Sequence, residues 1–310
     1  MCQIMDRSEY AVNREAIYKY FQGVTLRYVP ENSQDKIITD KDVFVTLLKV
    51  FEALFINDLS KQAHVLALCP EIGHKYLGLP TPELGRPRVH AQSRRCQRMC
   101  SPGEVLFNTL GFSIARDQSS LLSAGTGVFI SKGFVPKGTV VSMYPGTVYR
   151  KYEPIFFQSL GNPFIFRCID GVLIDGNDKG LSRAVYRLVL PSLRAGSFHN
   201  KPKAGLCLTV PAPIEMMGGS SSSPCAGGPA ARVSAAVGQY VNNCSREKDA
   251  NVCYQEFDVP ESFPVELKQY LPNIVYSHDI QSHLRCVVLV TLRDIQQGEE
   301  LFSNYFTVVN

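Results

Sequence analysis

The stretch FIFRCIDGVLIDGND, residues 164–178, carries the residue types of a phosphoryl-transfer loop: strand formers, then Asp170-Gly171, then further carboxylates. That chemistry needs a carboxylate nucleophile two positions before Asp170, to attack phosphorus and carry it covalently. Cys168 stands there instead. The phosphatase reading lacks its nucleophile, and a hairpin is the more economical one. Asp-Gly between two strand-forming runs signals a tight turn whose central residues both take positive φ. Three other groups could do chemistry together: Gly125-Thr126-Gly127 opening a β-rich run, Asn242-Asn243 in VGQYVNNCS with Asn251 downstream, and Tyr305 closing GEELFSNYF.

The elements that must position these residues change in character along the chain. Residues 39–59 predict an amphipathic helix, with Thr39 and Asp42 as a capping box and Val43, Leu47, Val50, Phe51, Leu54 and Phe55 at helical spacing. A second helix is expected over 61–77, ended by the Gly78-to-Pro82 cluster, and Pro, Gly and Arg mark a linker from 78 to 103. From about 105 the chain is β-rich, with strand-like runs at 127–130, 139–144, 164–168, 172–175 and 285–292. Residues 188–236 are rich in Gly, Ser, Pro and Ala and cannot bury enough apolar area to offset the entropy of ordering them. The expected organisation is a helical region and linker over 1–104, then a β-rich domain over 105–310 interrupted by a low-complexity insertion at about 188–236.

Composition narrows the classes. The 45% hydrophobic content suits a globular chain, and no apolar run reaches the length of a membrane-spanning helix. The first residues lack a signal-peptide pattern, so an intracellular protein, nuclear or cytosolic, is expected. A net charge of +4 does not argue for nucleic acid, although the basic segment 86–98 could meet an acidic partner or serve as a solvated linker. Cys96 and Cys100 have a zinc-like spacing but no second close pair, so the ten cysteines read as free thiols and no metal is expected.

In this order, the Gly-x-Gly opening, the Asn-Asn-Cys-Ser segment and the Gly-Glu-Glu-Leu segment closing on Tyr305 resemble the SET-domain protein methyltransferases. The resemblance covers roughly 105–187 and 237–310 and reaches into the helical part. It implies an α+β fold: a β-rich SET domain of several small sheets with a knot-like C-terminal segment, beside a helical N-terminal region. It also implies transfer of a methyl group from S-adenosylmethionine to a lysine of a protein substrate. Backbone groups of Gly127, Val128 and Phe129 would then touch the cofactor, and Asn242 and Asn243 would hold its two ends. A side chain at position 127 would take up the cofactor's space. Tyr305 would be the catalytic tyrosine, also bordering the cofactor, and is expected beside the Asn pair. Tyr240 could line the lysine channel or pack in the core. Where the family usually has Asn-His-Ser-Cys this chain has Asn-Asn-Cys-Ser, and the given sequence ends at Asn310 with no cysteine-rich segment after the domain. The helical N-terminal region is expected to supply that wall of the channel. The insertion falls where the family carries a variable substrate-recognition insert. The alternative implied by these departures is a SET-fold binding or scaffold protein with little catalysis.

Overall fold

The computed structural model describes residues 36–60, 70–77, 100–122, 124–187, 236–276 and 283–305. Helix α1 (Asp40–Ser60) forms where the periodicity predicts it. Thr39 and Asp42 cap it reciprocally: the Asp42 N–H donates to Thr39 Oγ1 at 3.2 Å, and the Thr39 N–H to Asp42 Oδ2 at 3.3 Å. All six apolar residues of the expected stripe are buried, joined by Leu59. Helix α2 (Pro70–Leu77) lies within the second expected helix, whose first part at 61–69 falls outside the described residues. Cys96, the basic 86–98 segment and 188–235 also lie outside them.

Helix α3 (Pro102–Leu110) is concealed in the sequence by the Pro- and Gly-rich texture around it. Ser101 and Glu104 form its capping box, and Gly111 ends it in a left-handed conformation. The α1 stripe and Val105 and Leu106 of α3 share one core with Met143, Phe257, Cys286 and Val288 from the strands. Among the described residues no helix is long and apolar enough to cross a membrane.

The strands form three small sheets. β1 (Phe112–Gln118) and β2 (Thr126–Gly133) make an antiparallel pair. A four-stranded sheet has the order β5-β6-β4-β9, from β4 (Gly146–Tyr149), β5 (Ile165–Arg167), β6 (Leu173–Asp175) and β9 (Asn273–Val275). A five-stranded sheet, β3-β10-β8-β11-β7, contains β3 (Val140–Tyr144), β7 (Asn242–Asn243), β8 (Val252–Val259), β10 (Leu284–Thr291) and β11 (Phe302–Ser303). β10 is a near-continuous apolar run, and Cys286 to Thr291 are all buried, as a central strand requires. β11 pairs in parallel with β7 on one side and β8 on the other, although those two are joined by the 244–251 loop. That threading is the knot-like feature of the fold.

The Asp170-Gly171 stretch is a hairpin, β5 against β6, and not a phosphatase loop. Its turn is longer than the two-residue form that Asp-Gly suggests. The Cys168 N–H donates to Val172 O, the Gly171 N–H donates to Cys168 O, and Gly171 takes φ +89°. This is the three-residue loop in which one left-handed residue closes an ordinary turn. Burial pushes the Cys168 thiol well above its usual range, so the residue standing in the nucleophile position is not a thiolate.

Arg285 of β10 fastens this hairpin to the large sheet. Its guanidinium bonds Glu256 and, at 2.6 Å and 3.0 Å, Asp258 and Asp170. Cys168, Asp170 and Glu256 bring ligand-type atoms within 4.8 Å of one another, but the cation among them is the arginine itself. Arg285 and Glu256 are mostly buried. Arg285→Met leaves a carboxylate unmatched and is expected to destabilise the protein by roughly 2–3 kcal/mol. Arg285→Lys, which keeps the charge without the fork, should cost less, and denaturant titration of the two variants checks the order.

Candidate functional site

The C-terminal segment is held by Asn251, a residue 1% exposed. Its side-chain amide donates to Glu300 O and its side-chain oxygen accepts from the Phe302 N–H, both at 2.8 Å. Its own N–H donates to Phe302 O at 2.9 Å. The Cys244 N–H donates to Ser303 O, so the loop between β7 and β8 grips β11 at both ends. Tyr305 is thereby brought to the Asn pair: its N–H donates to Asn243 Oδ1 at 3.0 Å across 62 residues of sequence.

Beside this clamp the Gly-x-Gly opening meets the Gly-Glu-Glu-Leu segment. The Leu301 N–H donates to Val128 O at 2.7 Å, and Phe129 bridges to Glu300. Val128 is wholly buried, so its side chain belongs to the core, and Phe129 is half-buried. Within the fold itself glycine at 127 is already required: a Cβ there would lie 2.1 Å from Glu300 Oε1. That carboxylate cannot swing aside without loss. Ser119 Oγ, Ser120 Oγ and the Ser120 N–H donate to it at 2.6–2.8 Å, and Asn242 Nδ2 at 3.3 Å. Asn242 Nδ2 also donates to Thr126 O at 3.1 Å. Burial works to raise the Glu300 carboxyl, but the bonds from Ser120, Ser119 and Asn242 outweigh it and hold the carboxyl below the usual range. An open cleft of about 390 Å³, lined by Gln118, Ser119, Ser120, Leu121, Leu122 and Gly125, lies next to this opening.

A second, narrow cleft, with a cavity volume of only about 30 Å³, is walled by Tyr144, Pro163, Ile165, Phe166, Arg167, Gln239, Tyr254 and Tyr305. Each tyrosine hydroxyl donates to a backbone carbonyl: Tyr144 to Phe164 O at 2.8 Å, Tyr254 to Gly238 O at 3.2 Å, and Tyr305 to Val241 O at 2.7 Å. Burial pushes the Tyr305 phenol up to about 12 and also raises the Tyr144 and Tyr254 phenols well above their ordinary value. All three are phenols, not phenolates, at any working pH. Tyr240 does not line this wall; it is partly buried and packs against the strand core. Its hydroxyl donates to Asp178 Oδ2 at 2.8 Å and its ring lies under the Arg116 guanidinium at 4.9 Å. Among the described residues the wall of this cleft comes from β5 and its neighbours, and the apolar stripe of α1 is spent on the core.

Small sheets, a C-terminal strand threaded between β7 and β8, and a Gly-x-Gly opening against a Gly-Glu-Glu-Leu segment define a SET domain, and the chain belongs to the SET-domain family. Within that family it is 57% identical over 287 residues to SET domain-containing protein 9 of Homo sapiens, covering 92% of this chain and 89% of the relative. It is 56% identical to SET domain-containing protein 9 of Pongo abelii, over 92% of this chain and 97% of the relative. A scan against protein-family models finds no match. Among solved structures, CpSET8 from Cryptosporidium is 11% identical with a TM-score of 0.31, over 71% of this chain and 68% of that one. That likeness is too slight to carry an argument, and family membership rests on the relatives.

Of the residues expected at the site, the structure groups Gly127 with Asn242 through Glu300, and Asn243 with Tyr305. Glu300, Tyr144, Tyr254 and Gln239 were not singled out by the sequence. Glu300 stood in a recognised motif, and its close pairing with Gly127 was the available signal. Because the Glu300 carboxyl is depressed on folding, its contribution to stability is complete above its ordinary value of 4.5 and is lost as pH falls through the lower folded value. Denaturation between pH 7 and pH 3 should therefore show a shallower acid limb for Glu300→Gln than for the parent chain, at about one proton's worth of slope.

Proposed function

We propose that this protein is an S-adenosylmethionine-dependent protein-lysine methyltransferase. One observation carries the reading: Tyr305 belongs to both halves of the site. Its ring lines the tyrosine-walled cleft, while its backbone is bonded to Asn243 of the expected cofactor side. The cleft suits a lysine side chain. The hydroxyl protons of Tyr144, Tyr254 and Tyr305 are donated to carbonyls, which turns the oxygens toward the cleft as acceptors for an amine. Apolar flanks from Ile165 and Phe166 suit the methylene stem.

The residues around Gly127 fit the cofactor in kind. A bare backbone and the Glu300 carboxylate suit a ligand that carries an ammonium and a sulfonium. Backbone groups of Gly127, Val128 and Phe129, with Asn242 and Asn243, would hold S-adenosylmethionine, which when bound supplies a methyl group on a sulfonium. Lysine must arrive neutral, against an ordinary value of about 10.4. Burial and the Arg167 guanidinium in the wall both favour the neutral amine. Tyr305, a phenol up to about 12, orients the amine and is not the base, so the proton leaves to solvent. The protein substrate, histone or not, is the partner this chemistry requires.

The test combines calorimetric titration with S-adenosylmethionine and a transfer assay on lysine-bearing proteins. Tyr305→Phe is expected to bind the cofactor as the parent chain does and to lose roughly 100-fold in turnover. Its pH profile should show no limb from Tyr305 below about 12. Full turnover by Tyr305→Phe removes the assigned role. Tight cofactor binding by the parent chain with no transfer to any lysine protein would favour the binding or scaffold reading.

A further inference from the structure

The wall of the tyrosine-lined cleft contains one polar group that the fold itself does not use. Gln239 lies in the short 3-10 turn Gly238–Tyr240, just before the Asn pair, and lines the cleft with Tyr144, Tyr254 and Tyr305. Its Oε1 is buried from water and has no hydrogen-bond partner. An unmet buried acceptor costs about 1–3 kcal/mol, so one at a cleft wall calls for a ligand that donates. The side chain is held in place from behind. Gly176 packs so closely that a Cβ there would lie 2.8 Å from the Tyr144 ring and 3.2 Å from Gln239 Cβ. Gly238 is equally confined, with Leu289 and Met143 O within 2.8 Å of the position of a Cβ. The turn that carries Gln239 is therefore closely packed against β3 and β10.

The other polar groups of the wall sharpen what the ligand must be. The tyrosine protons are committed to carbonyls, as described above, and Arg167 is the charged residue in the lining. A neutral primary amine brings two N–H donors and one lone pair, which matches a wall of acceptors with a cation beside it. We propose that Gln239 recognises the substrate amine: its side-chain oxygen accepts one N–H of the lysine in the cleft and so favours unmethylated lysine over lysine that already carries methyl groups. Each added methyl removes one of the two N–H donors and with it one hydrogen bond to the wall, which is how such a site discriminates. The inference rests on the methyltransferase reading for the identity of the amine as lysine, and predicts that the reaction stops early, with monomethyl-lysine as main product.

The test uses the full chain and a probe that needs no turnover. Nα-acetyl-lysine methylamide and its Nζ-monomethyl, dimethyl and trimethyl forms are titrated by NMR, and transfer to the same compounds is followed by mass spectrometry. In the parent chain, binding is expected to weaken about tenfold from the unmethylated to the dimethyl form. Gln239→Leu should lose about tenfold for the unmethylated amine while binding the trimethyl form, which has no N–H, as before. Gln239→Glu is nearly isosteric and keeps an acceptor. It should bind the charged amine more tightly and move the pH profile of transfer to higher pH, since a carboxylate facing Tyr144, Tyr254, Tyr305 and Arg167 favours the ammonium form. This arm decides the matter if Gln239→Leu does not fold.

Unchanged discrimination in Gln239→Leu, or Gln239→Glu with the amine affinity and pH profile of the parent, overturns the assignment of Gln239 while leaving methyl transfer intact. A Gln239-dependent binding gradient with no transfer upholds Gln239 and overturns the methyltransferase reading. Absence of any amine binding by the parent chain overturns the inference itself.

Discussion

A two-residue strand cannot hold a site together by its own ladder, and the arrangement depends on how β11 is gripped. The strand lies between β7 and β8, whose connecting loop crosses it, and Asn251 satisfies the backbone of both Glu300 and Phe302 from within that loop. Asparagine suits the task because one short side chain offers a donor and an acceptor to consecutive backbone groups. Burial makes those bonds matter: each group left unmet would cost more than the bond itself contributes. The surroundings of Gly127 and the tyrosine cleft are both registered from this clamp. Glu300 stands two residues before β11, and Tyr305 two residues after it.

Charge is handled differently on the two sides of Tyr305. Around Gly127 a carboxylate is kept ionised in a buried position by two serine hydroxyls, a backbone N–H and an asparagine amide. In the cleft the wall is neutral save for Arg167, and the phenols are kept protonated by burial. An anionic pocket beside a neutral, acceptor-rich one is what a cationic donor and a neutral amine would each need. The separation also explains the tight approach at Gly127, where the space a Cβ would fill belongs to Glu300.

The helices and the cleft walls are joined through the large sheet. Gln255 of β8, fully buried, accepts from the Ile37 and Ile38 N–H groups and donates to Ile38 O, which ties the start of α1 to the strand next to β11. Tyr270 donates to Asp58 at the other end of the same helix. Elsewhere on the sheet Arg285 binds the β5–β6 hairpin, whose Phe166 and Arg167 line the cleft, to β8 and β10. The N-terminal helix therefore supports the site from behind, through core packing and not as a wall.

Local periodicity determined what it physically can. The α1 stripe and its cap, the β2, β3, β5, β6 and β10 runs, and the absence of a nucleophile at Cys168 all follow from residue type and spacing over fewer than about 20 residues. The ordered Gly-x-Gly, Asn-Asn and Gly-Glu-Glu-Leu segments made the family legible as well. Helix α3 was hidden because capping and tertiary packing, not composition, stabilise it. β7 and β11 were hidden because two residues carry no period. Only the tertiary structure decided which residues meet: Asn251 with Glu300, Arg285 with Asp170, and Tyr144, Gln239 and Tyr254 with Tyr305. Those meetings join positions 49 to 161 residues apart in the chain, from Asn251–Glu300 to Tyr144–Tyr305. Chain entropy leaves such distant pairs unspecified until the core and the threaded strand bring them together.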